Sequence, residues 1–133
     1  QKAIDAVRLA KSFVEDVEFS CEDAGRSDRD FLAQVFSAAI KAGATVINVP
    51  DTVGYTMPEE YFRVVKEIVA LTEGKDVIVS SHCHNDLGLA VANSLASVAA
   101  GARQVECCIN GLESMLYNSA IIGVGKDIQL SVV

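Results

Sequence analysis

No apolar stretch in this sequence is long enough to cross a membrane. Half of its 133 residues are apolar, but charges break the hydrophobic stretches every few residues, far short of the roughly 20 a span needs. A basic surplus is also missing: 11 Lys and Arg stand against 18 Asp and Glu, a net charge of -7. Phosphate recognition wants the opposite balance, which argues against nucleic acid as a partner. No signal-like stretch, linker, low-complexity tract or sequence repeat is seen. The four cysteines, Cys21, Cys83, Cys107 and Cys108, form no CxxC. They read as reduced, mostly buried thiols of a soluble, cytoplasmic chain. Histidine is scarce, with only His82 and His84. What is present is enough length for one domain with a real core.

Short β-rich runs alternate with longer helical ones. The spacing of Ile4, Val7, Leu9, Ala10 and Phe13 predicts a helix over 3–14. Strands are expected at Val17–Cys21, at Thr45–Val49 with Pro50 as terminator, at Val77–His82 and at Gln104–Ile109. Between them, Ser27 and the acid three residues later predict a cap for a helix from about Phe31 to Ala42, closed by Gly43. Thr56 and Pro58 open a third helix, and Leu87 to Ala100 forms a fourth, closed by Gly101. Asp86 is its expected N-cap. Four β units joined by helices argue a parallel sheet. They make either a small doubly wound sheet or half of an eight-stranded barrel, since a full one takes about 250 residues.

Polar residues gather where each strand ends, the place where such folds keep their sites. The clusters are Ser20–Asp23, Asn48–Thr52, His82–Asp86 and Asn110–Gly111. Strand side chains alternate, so His82 and His84 share a face while Cys83 turns away to pack. Two converging imidazoles suit a divalent cation, or a hydrogen-bonded pair that caps the strand. Ser20 and Glu22 share a face by the same rule. Glu22 could bind substrate or move protons, or pair with a neighbouring strand end. Asp51, Thr52 and Gly54 read as a tight turn, in which Thr52 either donates to a carboxylate or caps the next helix.

At these residues the sequence resembles the 2-isopropylmalate synthase family. The matching segments are Phe19-Ser-Cys-Glu-Asp-Ala-Gly-Arg-Ser27, Asn48-Val-Pro-Asp-Thr-Val-Gly-Tyr55, His82-Cys-His-Asn-Asp-Leu-Gly-Leu-Ala-Val-Ala-Asn93 and Gly101-Ala-Arg-Gln-Val-Glu-Cys-Cys-Ile-Asn-Gly111. The resemblance implies a (β/α)8 TIM-type barrel, of which residues 1–111 would supply strands five to eight with their helices. It implies an acyltransferase of leucine biosynthesis that condenses acetyl-CoA with a 2-keto acid on a divalent metal (Zn, Mn or Mg). His82 and His84 match the family's metal ligands, with Asn118 at the spacing of a further one. Ser20 and Thr52 match substrate-binding positions, and Glu22 a catalytic one. A lyase or aldolase of related barrels shares the histidine pair but fits the other segments less well.

The sequence departs from the family pattern at Glu113–Tyr117, just before Asn118, and the tail 112–133 diverges. An aspartate that completes the family's metal site has no counterpart here. The expectation is therefore that the chain alone is inactive, and that it self-associates as a homo-oligomer or completes another barrel. The edges expected to remain unpaired are those near Val17–Cys21 and Gln104–Ile109.

Overall fold

The structure, a computed structural model, describes residues 1–107 and the backbone of 129–132. Within these residues five strands form one fully parallel sheet in sequential order: β1 (Glu18–Ser20), β2 (Val46–Asp51), β3 (Ile78–Cys83), β4 (Gln104–Cys107) and β5 (Gln129–Val132). Helices α1 (Lys2–Lys11), α2 (Arg29–Ala42), α3 (Pro58–Ala70) and α4 (Ala90–Ala100) lie between or before the first four strands. A short 3-10 turn at Ala24–Arg26 follows β1. The expected alternation of strand and helix is what the chain forms.

One parity rule organises the sheet. The odd-numbered residues Ile47, Val49, Val79 and Cys83 enter the apolar core with Phe36, Tyr61, Val64 and Val65 of the helices. The even-numbered residues Asn48, Pro50, Thr52, His82, His84 and Glu106 line the opposite face. Helices therefore cover one side of the sheet, and chemistry occupies the other. The amphipathic spacing of α3 serves the same core: Tyr61, Val64, Val65 and Ile68 are its buried residues. Gly43 and Gly101 close α2 and α4 in the left-handed conformation, where their backbone N–H groups return to the last turn.

Several boundaries differ from the sequence reading. Strand β2 runs through Pro50 to Asp51, in register with His82 and Cys83. Asn48 O accepts from Cys21 N on the β1 side and Asp51 O from His84 N on the β3 side. The backbone of Pro50 consequently faces β1 beyond Ser20, where that ladder has ended, so its missing N–H costs no ladder bond. Asp28, not Ser27, caps α2 by accepting from Phe31 N. Ser27 instead donates its hydroxyl to Asp23 O. Helix α3 begins at Pro58, which leaves Thr56 buried as a partner of Asp51. Helix α4 begins three residues later than expected, at Ala90, whose N–H is bound by Asn85 Oδ1 rather than by Asp86. Strand β4 is not an edge, because the backbone of 129–132, in the divergent tail, pairs along its outer side.

Candidate active site

The loops after β2 and β3 are locked together before any functional group is placed. Asp51, 1% exposed, accepts from the Thr56 hydroxyl at 2.8 Å, from Thr56 N at 3.3 Å and from Asn93 Nδ2 at 3.2 Å. Asn93 also donates to Thr56 O, which ties α4 to the β2 loop. Gly54 turns that loop at φ +66°, closing the Asp51 O to Gly54 N turn that the sequence anticipates. Asp51 is thus a buried structural acceptor served by three donors.

On the other face a cavity of about 330 Å³ opens, lined by Glu18, Ser20, Glu22, Asn48, Pro50, Thr52, His82, His84 and Glu106. The structure brings Ser20, Glu22, Thr52, His82 and His84 together, as alternation predicts. Asn118 lies outside the described residues. Cys83 turns away: it is 2% exposed, and burial pushes its thiol up to about 12, so it offers no thiolate to the cavity.

His82 and His84 point their Nε2 atoms at each other, 3.2 Å apart, with ring centroids separated by 5.2 Å. Burial, and then the neighbouring His82, hold the His84 imidazole below its ordinary value and favour the neutral form. Behind His82, Nδ1 lies 2.8 Å from Glu106 Oε2. Burial opposes the charged form of Glu106, but hydrogen bonds from His82 and Glu18 hold its carboxyl below the ordinary carboxylate value. Ser80 adds a donor at 3.2 Å. Glu18 behaves in the opposite way. The residue is exposed at the edge strand, yet its head group tucks inward against Gln104, whose Nε2 donates at 2.8 Å. That covering of the carboxyl, together with Glu106, pushes it up to about 8.

Thr52 caps no helix. Its Oγ1 accepts from Asp23 N at 2.9 Å, which leaves the hydroxyl proton to point elsewhere. Asp23 holds this contact from a left-handed backbone (φ 61°) while its carboxylate pairs with Arg26. Glu18 and Glu106 were not singled out from the sequence, although the alternation that selected Ser20 and His82 selects them equally; Asn48 stood there only within its polar cluster. Asn48 Oδ1 is buried without a hydrogen-bond partner among the described residues.

Three carboxyl groups and two imidazoles line the cavity, with no Lys or Arg among the described lining residues. No group of three or more His, Cys, Asp or Glu side chains among the described residues is arranged to hold a metal ion. The imidazole pair nevertheless has the spacing of two ligands on one ion. Two bonds of about 2.05 Å at a tetrahedral angle put the nitrogens about 3.3 Å apart.

The profile of the HMGL-like family matches residues 1–121. The chain belongs to the HMGL-like family. It is 57% identical over 122 residues to the 2-isopropylmalate synthase of Aromatoleum aromaticum, and 57% identical over 121 residues to that of Campylobacter fetus. The enzyme of that name from Neisseria meningitidis serogroup B is 56% identical over 125 residues. Each alignment covers 91% of this chain but only 24% of the relative, so this HMGL-like chain spans about a quarter of the curated relatives' length. Among solved structures, 2,3-dimethylmalate lyase, a PEP mutase/isocitrate lyase superfamily member, superposes with a TM-score of 0.70 at 12% identity, covering 98% of this chain and 57% of that one. The carboxyl transferase domain of Rhizobium etli pyruvate carboxylase gives 0.67 at 21% identity, covering 89% and 20%. At such identities these likenesses speak to fold alone, a parallel α/β architecture of the TIM-barrel kind.

Proposed function

We propose that this chain forms strands five to eight of a (β/α)8 acyltransferase barrel that condenses acetyl-CoA with a 2-keto acid, in the manner of 2-isopropylmalate synthase. The observation that carries the reading is the His82–His84 nitrogen pair, 3.2 Å apart at the mouth of an acidic cavity. His82 and His84 would hold a divalent cation, with Asn118 a further candidate ligand. When bound, the cation supplies Lewis acidity that polarises a keto-acid carbonyl. Ser20 and Thr52 line the wall where a substrate carboxylate would lie, and Thr52, whose Oγ1 accepts from Asp23 N, would donate its hydroxyl proton to it. Glu22, on the same face, is the group we assign to proton transfer. No basic side chain among the described residues lines the cavity, so an anionic substrate needs positive charge from the cation or from parts of the enzyme that these residues do not include.

Coenzyme A release from acetyl-CoA with 2-oxoisovalerate, measured with this chain and a co-expressed first half of a relative's barrel, tests the reading. Metal-dependent release that His84→Ala abolishes is expected, with none from the chain alone. Release by His84→Ala equal to wild type would overturn it. A related lyase would instead cleave a hydroxy-acyl thioester supplied in a parallel assay and would release no coenzyme A from acetyl-CoA with the keto acid.

A further inference from the structure

Glu106 sits on β4 beside His82 on β3, one residue beyond the paired Ser81 and Val105. It is 8% exposed and points into the cavity with no Lys or Arg against it among the described residues. A carboxylate in such a place is costly unless its oxygens are bonded. Both are: Oε1 accepts from Ser80 Oγ, and Oε2 meets His82 Nδ1. A carboxylate can only accept, so a neutral His82 beside it carries its proton on Nδ1 and presents Nε2 as a lone pair. That lone pair faces His84 Nε2.

We propose that Glu106 is a positioning residue, which fixes the tautomer and aim of His82 so that the two Nε2 atoms converge on one cation. The inference rests on the metal reading above and adds to it a residue outside the ligand pair. Glu18 and Gln104 brace Glu106 from the far side of the cavity, with Gln104 donating to Glu18 Oε2. A carboxylate behind a ligating histidine also raises the basicity of the nitrogen that binds, and loss of such a partner weakens metal binding about 10- to 100-fold.

The two histidines make the test direct, because long-range 15N–1H spectra of the 133-residue chain contain only two imidazoles, assigned with His84→Ala. In metal-free wild type, His82 is expected as the Nδ1-protonated form. Glu106→Ala should mix the tautomers and weaken zinc binding, read by calorimetry, about 10- to 100-fold. Glu106→Gln, nearly isosteric and able to accept through its amide oxygen, should keep the tautomer while losing part of the affinity. This variant carries the test if the alanine variant does not fold, and unchanged zinc affinity in it then overturns the proposal. An unchanged His82 spectrum with unchanged affinity in Glu106→Ala also overturns it. Should wild type bind no zinc, the metal reading fails separately. The tautomer spectrum of metal-free Glu106→Ala then decides the role of Glu106 by itself.

Discussion

Gly54 lies so close to Asp86 that a methyl group on its α-carbon would stand 2.9 Å from Asp86 N and 3.0 Å from the carbonyl carbon of His84. The β2 loop is therefore seated directly on the backbone that carries the second histidine. Gly54→Ala should displace that corner. The left-handed φ costs about 1–2 kcal/mol for any side chain, and the backbone clash adds to it. Gly74 is a matched control, with φ +70° and nothing within 4 Å of an added carbon. Denaturant titration should show Gly54→Ala losing clearly more stability than Gly74→Ala. Equal losses would mean that the loop yields freely.

The Asp51 network makes a second prediction. Thr56→Val removes the hydroxyl that Asp51 Oδ1 accepts in a fully buried setting. Leaving a buried acceptor short of a donor costs about 1–3 kcal/mol. Thr56→Ser keeps the hydroxyl and should recover most of the loss. A valine variant as stable as wild type would show that Asn93 and Thr56 N satisfy Asp51 without it.

Thr52 can be read through an amide proton. Its Oγ1 is the acceptor for Asp23 N, so Thr52→Val should strip protection from that amide in hydrogen exchange while Thr52→Ser preserves it. If Asp23 stays protected in the valine variant, the Thr52 hydroxyl is not what orders the β1 loop.

The carboxyl of Glu18 makes stability depend on pH with an unusual sign. It is pushed up to about 8 from an ordinary 4.5. Between these values the folded chain keeps a proton that the unfolded chain has released. The contribution is fully present below the ordinary value and is lost as pH rises through 8. Glu106, held low, acts oppositely and only at acid pH. The melting temperature should therefore fall between about pH 5 and pH 8, and Glu18→Gln should flatten that slope. Parallel curves for the two proteins would refute the assignment.

Alternation along β1 and β3 made Ser20, Glu22, His82 and His84 legible before any coordinates, because strand parity is geometry that needs no partner. Glu106 was equally legible by that rule. It lies within β4 rather than past a strand end, where the polar clusters of the sequence gather. The caps were harder to read. Ser27, Thr56 and Asp86 all have capping chemistry, but Ser27 donates to the nearby Asp23 O, Thr56 is taken up by the buried Asp51, and Asn85 rather than Asp86 binds the first N–H of α4. Pro50 misled for a related reason: whether a proline ends a strand depends on which neighbour its missing N–H would face, and that is decided by the register of β1.

The hydrogen bond from Gln104 to Glu18 joins β4 to β1, which stand three strand spacings apart. In a flat sheet that separation would be about 14 Å, with the side chains projecting side by side. A contact of 2.8 Å across it is a chord drawn under an arc. The bend of the sheet can thus be measured through a single pair of side chains, and it is the curve on which both histidines are mounted.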